Sequence, residues 1–376
     1  MPRLQTDPCD ENHPNAIGAG NLGVKSLQFS KSNKEIPICM AHERAPLTLG
    51  VLGAGQIVSN VHLPVASALP ELRLSWIADV NLERAQAVAR AFGLKHVPLP
   101  ADLADLPPCD VLLLAIPFGE RDPYYQALRQ HNRALYVEKP FSRSVQHHKT
   151  ICSWFPVNRL ACGLQRRSWG PTLLIKELIA DRMFGSLREI HFGFGSLGAI
   201  VVGGRYSSDA RLAGGGVLME MGVHGLDTVL FVTDATAVEV RGKTMIMDQG
   251  IDVHTAAELV VTVPGHGQVD CRIVVTCLED TVDSIRFGFE HCVAALGNAG
   301  LTIEGLRSRR PYLMTAPPRA YPLTPFETFG EHWSRFISGI RSGVPNWTSA
   351  STALLTTEII EQLYTPVSIA DHVSTF

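Results

Sequence analysis

A chain of 376 residues with 45% hydrophobic and 18% charged side chains is long enough for two domains that each bury a core. A formal net charge of −3, with acidic and basic residues interleaved, lacks the basic footprint of a nucleic-acid or anionic-membrane binder, so the expected partner is a small molecule. The longest apolar runs, such as VLLLAI (111–116), are too short to span a bilayer, and the N-terminus lacks the layout of a secretory signal. A cytoplasmic enzyme is therefore expected.

Residues 1–46 are rich in Pro, Asn, Asp, Lys and Gly without a sustained period, and read as an arm or disordered leader. From Leu47 short apolar runs alternate with helical stretches: LTLGVL (47–52), LRLSWIA (72–78), DVLLLAI (110–116), ALYV (134–137) and LACGL (160–164), with NLERAQAVARAFG (81–93) as a clear helix. Runs without polar alternation, separated by helices, are what a parallel sheet covered on both faces requires. Residues 47–165 are thus predicted to form a doubly wound α/β domain. After Gln165 the rhythm changes. A helix around 171–182 precedes LREIHFGFGS (187–196), and alternating stretches follow at 237–245, 255–263, 268–276 and 283–291. These predict a mostly antiparallel sheet with one open face, in an α+β domain over 166–376 that closes with helices at 327–343 and 350–364. Eight cysteines lie singly, with no CxxC pair, so neither a disulfide framework nor a metal site is expected.

Two segments match a dinucleotide-binding glycine pattern. GAGNLG (18–23) fits G-x-G-x-x-G in full but follows ENHPNAI, which is no strand. The motif works only where a strand enters a tight turn and a helix then starts, so that free backbone N–H groups meet a pyrophosphate. Gly53-Ala54-Gly55-Gln56-Ile57-Val58 has that context. Gly53 would make the turn and Gly55 would let the backbone approach the phosphates, while Val58 departs from the usual final Gly or Ala. Asp79, at the end of the next strand, is placed to accept both hydroxyls of an adenosine ribose and to repel a 2′-phosphate. With Val80 and Asn81 following it and Arg84 further on, NAD is favoured over NADP. A competing role for Asp79, capping the next helix, can fall to Asn81.

Two further features point to chemistry. Lys139 stands at the end of the strand ALYV, in Glu138-Lys139-Pro140, where Pro140 biases the lysine toward extended geometry. In GGGVLMEMGVHGLD (214–227), Glu220 and His224 are four apart, the spacing that shares a helix face, so Glu220 is expected to orient His224. Alcohol oxidation by hydride transfer needs a base for the hydroxyl proton and a cation for the developing alkoxide. His224 and Lys139 suit those roles, and the bland alternatives are a solvated strand end and a surface ion pair.

The glycine turn, HLP (62–64), IADVNLERA (77–85), Glu138-Lys139-Pro140, the GGG…E…H…D run and the two closing helices together resemble the glucose-fructose oxidoreductase / inositol dehydrogenase / MocA family over about residues 47–365. The resemblance implies a Rossmann domain holding NAD(P), an α+β domain whose open sheet forms the subunit interface of a homodimer or homotetramer, and a sugar, sugar derivative or cyclitol as substrate. It makes Lys139 and His224 the catalytic pair, with Glu220 standing where the family often has Asp. It places Pro117 and Glu138 near the cofactor with Gly53, Gly55, Gln56, Ile57 and Asp79. Lys139, Arg167, Glu220 and His224 would face substrate, and the Lys139-Pro140 peptide is expected to be cis. Pro117 is kept, but the Asn and His that often follow it are absent from AIPFGERDPYY (115–125). Arg205, Tyr206 and Arg211 are further candidates for substrate contact. A glycoside hydrolase of the same fold with tightly held NAD, and a dinucleotide-binding regulator without chemistry, are the alternative readings.

Overall fold

The computed structural model describes residues 45–198, 206–305, the backbone of 311–314, and 322–366. The glycine pattern at 18–23 and Arg205 lie outside the described residues. Six parallel strands form the first sheet: β1 (Leu47–Leu52), β2 (Leu72–Ala78), β3 (Lys95–His96), β4 (Val111–Leu114), β5 (Ala134–Val137) and β6 (Leu160–Cys162). Their spatial order is β3-β2-β1-β4-β5-β6. Along β4, Leu112 and Leu114 pack with Tyr125 and Leu128 of α3 (Asp122–Leu128) and Ile151 of α4 (Val145–Trp154). Val111 and Leu113 pack on the other side with Leu63 of α1 (Leu63–Ala68), and with Ala85 and Val88 of α2 (Leu82–Phe92). Helices on both faces explain the unbroken apolar runs of the strands. Strand order reverses between β1 and β4, the crevice in which open α/β sheets bind ligands.

The core that holds Leu112 and Leu114 continues beneath an eight-stranded sheet of order β14-β13-β12-β11-β7-β10-β9-β8. Its strands are β7 (Leu187–Gly195), β8 (Ala237–Asp248), β9 (Ile251–Val263), β10 (Gly267–Thr276), β11 (Ser284–Phe289), β12 (Cys292–Gly297), β13 (Gly300–Gly305) and β14 (Pro311–Met314). Only β7 and β10 pair in parallel. On β10, Val269, Cys271, Ile273 and Val275 are buried while Asp270 and Arg272 are exposed, so the alternation seen in the sequence is a one-faced burial. The buried row joins one core with Leu226 and Val229 of α7 (Val223–Thr233). Strands β12 to β14 go beyond the sequence prediction. CVAALG and GLTIEG are short, flanked by glycine and rich in small residues, and they gain strand geometry from pairing rather than from propensity.

Two features were not evident from the chain order. Helix α8 (Pro325–Ser342), which the sequence assigns to the second half, puts Phe329, Trp333, Phe336 and Ile337 into the core of the first sheet. Trp333 stacks on Tyr136 of β5 with ring centroids 4.3 Å apart; each such burial contributes roughly 1.5–3 kcal/mol. The helical run Ala210–Thr233, comprising α6 (Ala210–Ala213), a π turn and α7, is long and apolar enough to cross a membrane by length and composition. It is mostly buried within the protein, as a core helix is. Among the described residues the remaining α-helices are α5 (Gly170–Ala180) and α9 (Leu354–Tyr364).

Candidate active site

The glycine turn leaves β1 at the crevice. Gly53 has φ +101°, and a Cβ there would fall 2.2 Å from the Ala115 carbonyl oxygen at the end of β4, so only glycine fits. At Gly55 nothing lies within 4 Å of an added Cβ. That open approach, with Gln56 and Ile57 exposed on the first turn beyond it, leaves the backbone accessible to a phosphate at the start of a helix. Val58 is fully buried where the motif usually has a small residue, and a π turn over Val58–His62 follows.

Asp79 faces this turn. Its Oδ2 accepts the Ala54 N–H at 2.6 Å and its Oδ1 accepts the Asn81 N–H at 2.7 Å. Asn81 itself caps α2 by accepting the Arg84 N–H. Arg84 folds back and bonds both Asp79 oxygens, at 3.0 and 3.1 Å. A carboxylate masked by a half-exposed arginine discriminates against a 2′-phosphate less than a bare one. Replacing Arg84 with Ala is expected to weaken NADPH binding about fivefold and NADH binding by less than twofold, read by equilibrium fluorescence titration. An equal loss for both cofactors would show that the arginine does not act on the 2′ position.

Glu138, Lys139 and Pro140 leave the carboxyl end of β5, and the Lys139-Pro140 peptide is cis. Sequence reasoning missed the residue that holds this edge. Arg121, buried just before α3, donates from Nε to the Ile116 carbonyl at 3.1 Å and from Nη1 to the Glu138 and Pro140 carbonyls at 2.5 and 2.7 Å. It ties the loop carrying Pro117 to the Glu138–Pro140 turn. Nothing in ERDPYY marks that arginine as buried. Glu138 is also buried, and its Oε1 accepts from His62 Nε2 at 2.8 Å. Trp333 Nε1 donates to His62 Nδ1 at 3.1 Å. An indole N–H only donates, so Nδ1 accepts and the ring proton sits on Nε2, aimed at Glu138. Burial by itself would raise the Glu138 carboxyl, but the His62 hydrogen bond and the charges of Lys139 and Arg121 hold it below its usual value. Glu138 is therefore engaged by His62 and the Lys139 N–H (3.2 Å), and the Lys139 ammonium finds a different partner.

That partner is Glu220. Lys139 Nζ donates to Glu220 Oε1 at 3.0 Å and to the Glu220 carbonyl at 2.9 Å. The expectation that Glu220 orients His224 is thereby corrected. Residues Leu218–Gly222 are wound as a π turn, and the Glu220 carboxylate there is taken by the lysine rather than by the histidine. The glycine run before the turn is held by Asp252, a second residue the sequence did not flag. Its carboxylate accepts from Gly216 N at 2.6 Å, Leu218 N at 2.8 Å and the Tyr364 hydroxyl at 2.5 Å. A Cβ on Gly216 would lie 1.9 Å from the Asp252 carbonyl oxygen. His224 opens α7 half-buried, and its Nδ1 is buried without a hydrogen-bond partner. Burial first, then the positive charges of Lys139 and Arg166, push its imidazole well below the ordinary histidine range, so the ring is neutral at pH 7.

Arg167 does not reach this site. It is buried, pairs with Asp227 through Nε at 2.7 Å and Nη2 at 2.5 Å, and spends its other donors on the Trp347 carbonyl and Thr352. All five guanidinium N–H groups are used inside the core, so the expectation of substrate contact is corrected to a scaffold role. The arginine that acts on His224 is its neighbour, Arg166. Arg211 is paired with Glu120, and Tyr206 is half-buried.

A glycine turn at the switch point of a Rossmann sheet defines the class, a dinucleotide-dependent oxidoreductase with an α+β partner domain. Residues 47–159 match the GFO_IDH_MocA model, "Oxidoreductase family, NAD-binding Rossmann fold", and residues 172–289 match the "GFO/IDH/MocA C-terminal domain". The chain belongs to this family. It is 24% identical over 257 residues to a dTDP-3,4-didehydro-2,6-dideoxy-alpha-D-glucose 3-reductase of Streptomyces antibioticus, an alignment covering 65% of this chain and 70% of the relative. It is 26% identical over 202 residues to a D-glucoside 3-dehydrogenase of Escherichia coli, where it spans little more than half of the relative, 56%, and 52% of itself. Among solved structures, levoglucosan dehydrogenase in complex with NADH and levoglucosan has a similar fold, with TM-score 0.72 and 15% identity over 85% of this chain and 96% of that one.

Proposed function

We propose that this protein interconverts a hydroxyl and a carbonyl on a sugar, sugar derivative or cyclitol ring, using NAD, with Lys139 and His224 as the catalytic pair. The observation that carries the reading is that a neutral His224 with an orphaned Nδ1 shares the carboxyl edge of the Rossmann sheet with the Lys139 ammonium. Gly53, Gly55, Gln56, Ile57, Asp79, Pro117 and Glu138 are the residues that would hold the dinucleotide. Bound NAD supplies the acceptor for the hydrogen and electron pair leaving the carbinol carbon. The protein does the rest. Lys139 spends two of its three N–H donors on Glu220, which leaves one for the substrate oxygen as negative charge develops on it. The neutral His224 imidazole takes the hydroxyl proton in the oxidising direction and returns it in the reducing one. Glu220 fixes the ammonium, and His62 and Trp333 fix Glu138 beneath it.

The relatives named above act on sugar rings, which supports the substrate class. A panel of hexoses, hexuronates, sugar phosphates, sugar nucleotides and inositols, followed by NADH formation, tests the reading. Turnover of at least one cyclic polyol is expected, and a folded, NADH-binding protein that reduces NAD with none of them would sink it. The open face of the large sheet, where Arg272 and Glu258 pair across β10 and β9 at 3.6 Å, serves in this reading as the interface of a cytoplasmic homodimer or homotetramer. Sedimentation of the same preparation checks it, and a monomer at assay concentration would count against it.

A further inference from the structure

We propose that Arg166 is a substrate-recognition residue and that the sugar it selects carries an oxyanion, either a carboxylate on the ring or a phosphate on its exocyclic carbon. This deepens the oxidoreductase reading above and rests on it.

Position is the first reason. Arg166 belongs to the turn Gln165–Ser168 that follows β6, the strand beside β5, so it leaves the sheet at the same edge as Lys139. Its guanidinium lies over the Phe194 ring, 4.8 Å from the centroid. Phe194 meets Phe192 edge to face at 4.7 Å. Phe192 in turn fills the space at Gly225, where a Cβ would fall 2.1 Å from its ring. Gly225 directly follows His224. These contacts carry Arg166 from the lysine's edge to the histidine's helix.

Satisfaction is the second. Where Arg121 and Arg167 engage several protein oxygens each, the Arg166 guanidinium makes no hydrogen bond and no ion pair among the described residues; its contact is the ring of Phe194. The carboxylate near enough to act on it, Asp283, is already engaged by the Gly195 N–H at 3.1 Å. Two polar atoms in the same region are buried and also lack partners, Gln165 Oε1 and His224 Nδ1. Arg166 is half-buried, and a guanidinium partly withdrawn from water without hydrogen bonds carries a desolvation cost, which depresses its affinity for its proton.

Charge is the third. At this edge Lys139 is balanced by Glu220, and Glu138 is held by His62. Arg166 has no ion-pair contact among the described residues, and the charge of Asp283 acts on it without a direct bond. A neutral sugar would fill some of its donors but add no counter-charge when ligand displaces water. A carboxylate or phosphate matches the planar fork with two parallel charge-assisted bonds and compensates both.

Calorimetric titration of the NAD-loaded protein with glucuronate, glucose 6-phosphate and glucose tests the proposal. The parent is expected to bind one of the acidic sugars at least about tenfold more tightly than glucose. Preference for glucuronate would assign the oxyanion to the ring carboxylate, and preference for glucose 6-phosphate to the exocyclic phosphate. Arg166→Gln is expected to bring the ratio to glucose within about threefold, and Arg166→Lys, which keeps charge but not the fork, to recover part of it. Thermal melting confirms that each variant is folded; if the glutamine variant is not, the lysine variant must still show a reduced ratio. Equal affinity for the three sugars, no binding of either acidic one, or an unchanged ratio in the folded variants overturns the proposal. NADH formation separates it from the reading beneath it. Turnover of glucose without an acidic preference defeats only the anion site. Acidic preference without turnover of any sugar defeats only the redox reading.

Discussion

Replacing Lys139 with methionine is expected to lower kcat by about 10²- to 10³-fold while leaving NADH affinity within a few fold of the parent. Methionine keeps most of the side chain's length and packing and removes the ammonium. Two things are lost with it: the donor that meets developing negative charge on the substrate oxygen, and one of the positive charges that keep His224 neutral. The second loss raises the imidazole toward its ordinary value, so the acid limb of kcat/KM should move to higher pH than in the parent. The fold should survive, because Glu220 is 44% exposed at its side chain and water can solvate the carboxylate left behind. Stopped-flow or steady-state turnover on the best substrate from the panel measures the effect. A folded variant within tenfold of the parent kcat would remove Lys139 from the chemistry.

Acidification from pH 7 to pH 4.5 is expected to cost the protein several kcal/mol of stability, through histidines that the fold buries uncharged. His148 and His332 are both buried. His148 Nε2 bonds the Ala350 carbonyl at 3.0 Å and its Nδ1 the Thr357 hydroxyl at 2.7 Å, linking α4 to the start of α9. His332 Nε2 bonds the Cys162 carbonyl at 3.0 Å and its Nδ1 the Ser168 hydroxyl at 3.1 Å, linking α8 to the end of β6. Burial pushes both imidazoles down to about 4. In the unfolded chain each titrates near 6.5, so below that pH the unfolded state binds protons that the folded state refuses. The stability these groups allow is fully present above about pH 6.5 and is lost as pH falls toward 4. Each group contributes on the order of 2–3 kcal/mol across that window. Urea denaturation midpoints at pH 7, 5.5 and 4.5 test this. His148→Gln combined with His332→Gln should flatten the dependence, and a parent midpoint that is unchanged between pH 7 and pH 4.5 would contradict it.

Local pattern was sufficient wherever one short segment carries the whole signal. The first sheet was legible because its buried strands are unbroken apolar runs, and the glycine turn at its crevice was legible because Gly53 needs a strand before it and a helix after it. Asn81 as the cap of α2 follows from residue type alone. The cis bond at Lys139-Pro140 accorded with the family resemblance. What failed depended on direction or on distance along the chain. Arg166 and Arg167 are adjacent in a turn of about three residues, so they diverge by roughly 120°, and only the packed structure shows which one turns inward to Asp227. Glu220 and His224 keep helical spacing in the sequence, but Lys139, from the end of a distant strand, takes the Glu220 carboxylate.

The sequence by itself therefore determined the apolar strands of the first sheet, the glycine turn at its crevice and the identity of Lys139 and His224 as candidates, because strand periodicity, glycine conformation and motif order are properties of short segments. Tertiary structure decided the partners. Glu220 belongs to Lys139, 81 residues away in the chain. Trp333 meets His62 across 271 residues, Asp252 meets Gly216 across 36, and Arg121 meets the Glu138 carbonyl across 17. A hydrogen bond's energy depends on where two atoms come to rest, and packing of the two cores sets that position; no local propensity encodes it.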